Sequence, residues 1–280
     1  MLAIPTELVS APPSYGAQVF AAQRYRLSTL TVRDDLLVIV LKGCKGLHTS
    51  QSVLTASQSE GVMIARGTQW DVVNDPRGSS QYEALVLSFS DVLIRQFNEL
   101  YPVEHTACVS DAKVLIVDDA LRDAMQRMLP PDSVRCTLPA TLLTHRAMEV
   151  LLLLSLQGLR FASPQTLSWS DKVRRLVAQR PHADWSVEVL CQMFHLSQST
   201  LRRRLTSSGT TLAGLVREVR LEVALGMLQT TSYQVGEVAQ RCGWDSHSRF
   251  SAAFQSRWGV TPSIVRARMN ETEQNLNENG

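Results

Sequence analysis

The chain has 280 residues, 44% hydrophobic and 19% charged, which is enough apolar material for two domains with real cores. Met1 to Pro5 lacks a basic region followed by an apolar core, and the most apolar run, Val150–Leu156, falls far short of the roughly 20 residues that span a bilayer. Neither a signal peptide nor a membrane span is expected, and the expected location is the cytoplasm. Five cysteines without CxxC spacing argue against a disulfide framework or a zinc site; Cys191 and Cys242 sit in apolar contexts that read as core packing, with a reactive redox sensor as the minor reading.

The net charge of +2 is unevenly spread. Residues 171–270 hold 14 Lys/Arg against 7 Asp/Glu, whereas residues 1–170 are near neutral and the last ten carry three glutamates. A basic domain joined to a near-neutral one is the electrostatic footprint of a nucleic-acid-binding module with a separate sensing or assembly module.

Residues 1–32 have little periodicity, and their prolines and Gly16 predict an irregular arm leading into a first strand or two. Leu36–Leu41, Gly61–Ala65, Trp70–Val73 and Tyr82–Phe89 then read as strands, separated by Asn74-Asp75-Pro76 and Gly78-Ser79-Ser80. Short strands at this spacing predict a small β-barrel or sandwich. Its interior either binds a small molecule, with Leu37, Ile39, Trp70 and Tyr82 as candidate lining, or is filled by side chains. Only His48 and His105 fall within residues 33–105, too few for a clustered metal site, so neither a metal nor another cofactor is expected.

Helical spacing follows over Asp91–Tyr101, Ala112–Leu129 and Thr141–Leu159. The last is apolar almost all round, the pattern of a helix buried on more than one side. Internal packing and contact with a second subunit both fit it. Residues 161–168, with Ser163 and Pro164, read as a linker, and Trp169–Arg180 as the first helix of the basic domain. The polar tail, 271–280, reads as disordered.

The basic domain contains one device twice. Val187–Phe194, a break at His195-Leu196-Ser197 and Ser199–Leu205 form the first copy. Val235–Cys242, a break at Gly243-Trp244-Asp245 and His247–Trp258 form the second. Each reads as a short apolar helix, a tight turn and a polar, basic helix: a helix-turn-helix. Val189, Leu190 and Phe194 are expected to face the core of the first copy, and Val235, Val238 and Ala239 that of the second. Ser186 and Ser197 are N-cap residues, as is Asp245 or Ser246. Gly243 suits a positive φ, and Gly259 with Pro262 marks a stop. A helix from Leu212 to Gln229 joins the copies. Ser199, Thr200, Arg202, Arg203 and Arg204 remain on the outer surface of the first reading helix, with His247, Ser248 and Arg249 on the second. Arginines there can pair with phosphates or fork onto guanine edges. Arg204 and Arg220 suit phosphate contact or packing.

Leu190, Ser197, Leu201-Arg202-Arg203, Gly209, Arg220-Leu221, Ala224, Leu228, Val238-Ala239, Gly243-Trp244, Ser246, Phe250, Phe254, Gly259, Thr261-Pro262 and Arg266 stand in an order and spacing that resembles the AraC/XylS family of bacterial transcription regulators. Cys191 and Ala252 depart from the pattern: the first replaces a small alanine, the second a basic residue that some members place on DNA. The resemblance implies an α+β protein. Residues 1–160 would form a cupin-like barrel with helices, for sensing and dimerisation. Residues 169–270 would form an all-α domain of seven helices whose two recognition helices enter successive major grooves of double-stranded DNA. It implies a regulator, in the first instance an activator, that forms a homodimer, contacts RNA polymerase and answers to a small-molecule effector or a regulatory protein. A cupin-type enzyme is the remote alternative; the sequence has no nucleotide-binding glycine loop, nucleophile elbow or HExxH.

Overall fold

A computed structural model describes residues 14–50, 52–102, 108–129, 139–163 and 168–266. The arm before residue 14, His105, Cys136 and the tail lie outside these. The chain divides after Pro164 into two compact units.

Unit 1 is built on two antiparallel sheets. Its strands are β1 (Ser14–Ala21), β2 (Tyr25–Thr31), β3 (Asp35–Lys42), β4 (Cys44–His48), β5 (Val53–Ser57), β6 (Glu60–Ile64), β7 (Gln69–Asp75), β8 (Tyr82–Phe89), β9 (Cys108–Val109), β10 (Ala112–Ile116) and β11 (Arg160–Phe161). One sheet has the order β1-β8-β3-β6-β10, the other β2-β7-β4-β5, and β9 pairs in parallel with β11. The helices are α1 (Asp91–Leu100), α2 (Asp119–Gln126) and α3 (Ala140–Leu156).

The continuous apolar run of β3 is buried on both faces, as such runs are. Leu37 and Ile39 join Leu85, Leu87 and Phe89 of β8 in a core closed by Leu93 and Phe97 of α1, Leu121 and Met125 of α2, and Val150 and Leu154 of α3. Val38 and Val40 are buried on the opposite face. Of the two expectations for Leu37 and Ile39, pocket lining or core, the structure gives core: they pack beneath the helices. Ser90 and Asp118 cap α1 and α2 by accepting from the N–H of Leu93 and Leu121. Arg66 bridges Asp35 at the start of β3 and Asp91 at the start of α1. Burial raises the Asp35 carboxyl above its ordinary value even against the donors of Arg66.

Two expectations fail in unit 1. Residues 112–129 are not one helix. Ala112–Ile116 is a strand paired with β6, and Asp118 then starts α2. Leu115 and Val117 are buried with Ile116 exposed between them, a period of two that the helical stripe concealed. The linker does not begin at 161, because Arg160–Phe161 forms β11 and Phe161 is buried in the core. Two strands, β4 and β5, lie outside the predicted ones; in β4, Lys45 and Gly46 interrupt the apolar pattern. In α3, Ala147, Val150, Leu151 and Leu154 are buried and Leu152 and Leu153 are partly so, but Leu156 is 84% exposed.

Unit 2 is all helical among the described residues: α4 (Trp169–Gln179), α5 (Val187–Phe194), α6 (Gln198–Thr206), α7 (Leu212–Thr230), α8 (Val235–Arg241), α9 (His247–Trp258) and α10 (Pro262–Val265). No described helix is long and apolar enough to cross a membrane.

Candidate nucleic-acid interface

The first helix-turn-helix is α5 and α6. Ser186 caps α5 by accepting from the N–H of Val189. Leu190 is fully buried, with Val187, Cys191 and Phe194 packed against the same core. These positions follow the i, i+3, i+4, i+7 stripe of one helix face. Val189 lies off that stripe and is 37% exposed, which corrects its expected place in the core. His195 ends the helix in the left-handed region, with φ 52°. A non-glycine residue there marks a sharply defined turn.

Ser197 opens α6. Its hydroxyl accepts from the N–H of Thr200 and lies 3.1 Å from Ser199 Oγ and 2.8 Å from Thr200 Oγ1. Leu201 and Leu205 anchor the helix against Val173 and Val177 of α4 and Leu215 and Val219 of α7. Ser199, Arg202 and Arg203 are exposed and Thr200 is partly so. Arg204 differs: its guanidinium lies 4.0 Å over the Trp169 ring, where it braces α6 against α4. Gln198 Nε2 donates to Glu188 Oε1 across the turn at 3.1 Å. The N–H of Glu188 itself and the Ser186 hydroxyl hold that carboxyl below its ordinary value, and Arg202 adds to the effect.

The second helix-turn-helix is α8 and α9. Val238 and Ala239 are fully buried and Val235 partly. Gly243 carries the turn at φ 76°, and Ser246, not Asp245, caps α9 by accepting from the N–H of Arg249. Phe250, Phe254 and Trp258 form its buried face, with ring centroids 5.7 and 6.4 Å apart in succession. His247, Ser248 and Arg249 are exposed in the first turn, and Ala252 is exposed one turn on. Gly259 stops the helix at φ 78°.

The α7 helix mounts both copies. Glu222 accepts from Arg174 of α4 at 3.0 and 3.2 Å, and Glu218 from Arg257 of α9 at 2.7 Å. Arg220 donates to the carbonyls of Pro181, Ala183 and Gly243, at 2.8, 3.1 and 2.9 Å. Its role is packing, tying the segment before α5 to the turn of the second copy. Those ties were not legible beforehand, since each partner is a carbonyl or a carboxylate far away in sequence. The surface left over is polar and basic, with seryl and threonyl hydroxyls beside Arg202, Arg203 and Arg249.

Comparison with known proteins agrees. Residues 190–268 match a helix-turn-helix domain family and residues 35–163 the ExsA N-terminal regulatory domain family. The chain is 28% identical over 103 residues to the urease operon transcriptional activator of Escherichia coli, covering 37% of this chain and 35% of that protein. It is 32% identical over 94 residues to the E. coli dual transcriptional regulator Rns, covering 34% and 36%. It thus spans about a third of the length of these relatives. The match to the E. coli transcriptional activator AggR is longer, 22% identical over 229 residues, covering 77% and 84%. The fold resembles apo ToxT from Vibrio cholerae, with TM-score 0.60 at 14% identity over 91% of this chain and 97% of that one. A ToxT structure with a bound unsaturated fatty acid gives TM-score 0.56 at 15% identity over 89% and 93%. The two domain matches together span most of the chain and identify it: it carries an AraC/XylS-type helix-turn-helix DNA-binding domain and an ExsA-like N-terminal regulatory domain.

Proposed function

We propose that this regulator reads a specific operator by laying α6 and α9 in successive major grooves on one face of the duplex, roughly 34 Å apart. One observation carries the reading: both capped helices present exposed polar and basic side chains, while α6 shares a buried core with α7 and α9 is tied to α7 through Arg257 and Glu218. In this reading Ser199, Thr200, Arg202 and Arg203 contact bases or phosphates in the first groove, and His247, Ser248 and Arg249 in the second. Arg204 contributes by holding α6 in place. The exposed Ala252 makes the second reader the weaker of the two.

The finer organisation belongs to the same proposal. Residues 1–160 close into a cupin-like barrel, sense a signal and form a homodimer through helical surface. Residues 169–270 bind DNA, and the protein works in the cytoplasm, contacts RNA polymerase and activates. The regulatory-domain match and the two-sheet architecture support control through unit 1, with a small-molecule effector as the signal and a regulatory protein as the alternative.

The test is titration of the purified protein against promoter fragments at several salt concentrations. Tight binding to a few fragments that survives raised salt is the expected outcome. Affinity that collapses with salt and prefers no fragment overturns sequence reading, leaving only electrostatic attachment. A pull-down from native extract, beside a metabolite screen, separates a protein signal from a small molecule.

A further inference from the structure

Unit 1 contains a polar cluster that DNA binding does not use. Strands β2, β7, β4 and β5 bring Tyr25, Asn74, Lys45 and Ala56 into one row of cross-strand partners. The row two residues along, Leu27, Val72 and Leu47, shares that face by the strand period. Tyr25, Asn74, Ala56, Leu27, Val72 and Leu47 are all buried, so Lys45 stands on the buried side of its sheet. Its Nζ donates to Asn74 Oδ1 at 3.1 Å, and Asn74 Nδ2 donates to the Tyr25 hydroxyl at 2.7 Å. Among the described residues no carboxylate pairs with Lys45. The other three lysines of the chain are placed differently: Lys42 is paired with Glu83 at 2.8 Å, Lys172 lies 4.4 Å over the Trp169 ring, and Lys113 is exposed.

A second polar group lies at this end of the strands. Tyr82 is fully buried and its hydroxyl has no hydrogen-bond partner among the described residues. Tyr82 starts β8 opposite Ala21, the last residue of β1, while Tyr25 starts β2 and Asn74 lies at the end of β7. Burial raises the Tyr82 phenol well above its ordinary value, so it stays a neutral donor.

We propose that Lys45 is a nucleophilic amine that captures a small aldehyde as a Schiff base, with the Tyr82 hydroxyl as donor to the carbonyl oxygen. The Nζ lone pair forms a bond to the carbonyl carbon, and the π electrons of the C=O bond move to oxygen, which takes a proton. Loss of water from the carbinolamine leaves the imine, with no net oxidation or reduction. A desolvated lysine suits this chemistry. Burial pushes the Lys45 ammonium down to about 8, so free amine is present near neutral pH. Asn74 orients that amine, and part of the residue remains accessible. The capture concerns unit 1 alone and stands independently of the DNA-binding reading.

The experiment treats the full-length protein with propionaldehyde and sodium cyanoborohydride at neutral pH, then follows propylation of the four lysines by peptide mass mapping. Lys45 is expected to be labelled at least about 10-fold faster than Lys113, with the preference lost in denaturing urea and reduced in Tyr82→Phe. Labelling of Lys45 no faster than Lys113 overturns the proposal, as does a preference that persists in urea. If Tyr82→Phe does not fold, the wild-type rates decide alone.

Discussion

Arg220 and Gly243 are tied to each other twice, once by a bond and once by space. The Arg220 guanidinium donates to the Gly243 carbonyl at 2.9 Å. A Cβ built on Gly243 would lie 2.9 Å from Arg220 Cζ and from His182 Cα. The glycine is required both by its φ of 76° and by the arginine packed against it.

Gly243→Ala is therefore expected to destabilise unit 2 by about 1–3 kcal/mol, since strain and overlap act together. Arg220→Ala should cost about 2–4 kcal/mol by stranding part-buried carbonyls. Urea unfolding followed by circular dichroism checks both, and an unchanged midpoint in either variant removes Arg220 as the clasp between the copies.

On DNA, the arginines of α6 should separate by role. Arg202→Ala is expected to cost about 1–3 kcal/mol and relax one base position. Arg203→Ala, if it serves phosphate, should weaken all sites alike and lower the salt slope by about 1. Arg204→Ala should lower thermal stability, by about 0.5–1 kcal/mol, through its lost stacking on Trp169. Binding isotherms on operator variants, with melting curves beside them, separate the three.

The two carboxylates of α7 invite a double-mutant cycle. Arg174→Ala with Glu222→Ala, and Arg257→Ala with Glu218→Ala, should each give a coupling of about 0.5–1 kcal/mol, because the pairs are only partly buried. A coupling near zero for both would make the apolar contacts of α7 sufficient to mount the reading helices.

Stability should depend on pH through Lys45. Its folded pKa is lowered to about 8, while the unfolded chain keeps the ordinary value near 10.4. Between these limits the unfolded state binds more protons, so stability rises with pH across that window. Lys45→Met should flatten the rise, and it gains most over wild type below pH 8. Denaturant titrations at several pH values read this directly.

Thiol reactivity should follow burial. Cys108 is exposed, while Cys44 and Cys242 are buried and their thiols raised by burial, that of Cys242 up to about 12. Iodoacetamide should modify Cys108 first and reach Cys44 and Cys242 only on unfolding. Rapid loss of the Cys242 thiol in the folded protein would contradict its place behind the turn.

The local signals of unit 2 were legible because they are short-range. Ser186, Ser197 and Ser246 sit one residue before their helices, and Gly259 one residue after. Leu201/Leu205 and Phe250/Phe254/Trp258 repeat at the spacing that makes a helix face. Such features act over one or two turns, so the order of residues suffices to determine them. Val189 was misplaced because its neighbour Leu190 fits two candidate stripes, and only the packing of Val187, Cys191 and Phe194 selects one.

What only the tertiary structure decided depends on partners distant in the chain. Residues 112–116 form a strand because β6 offers them an edge, although their spacing also fits a helix. Leu37 and Ile39 face helices because α1, α2 and α3 cover that side of β3. Arg220 becomes a clasp, and Arg204 a brace, only when Gly243 and Trp169 are brought beside them. Sequence by itself determined that there are two helix-turn-helix copies with capped second helices; that Arg204 lies over a ring and Arg220 on a set of carbonyls was decided by long-range packing, since those partners are distant in the chain.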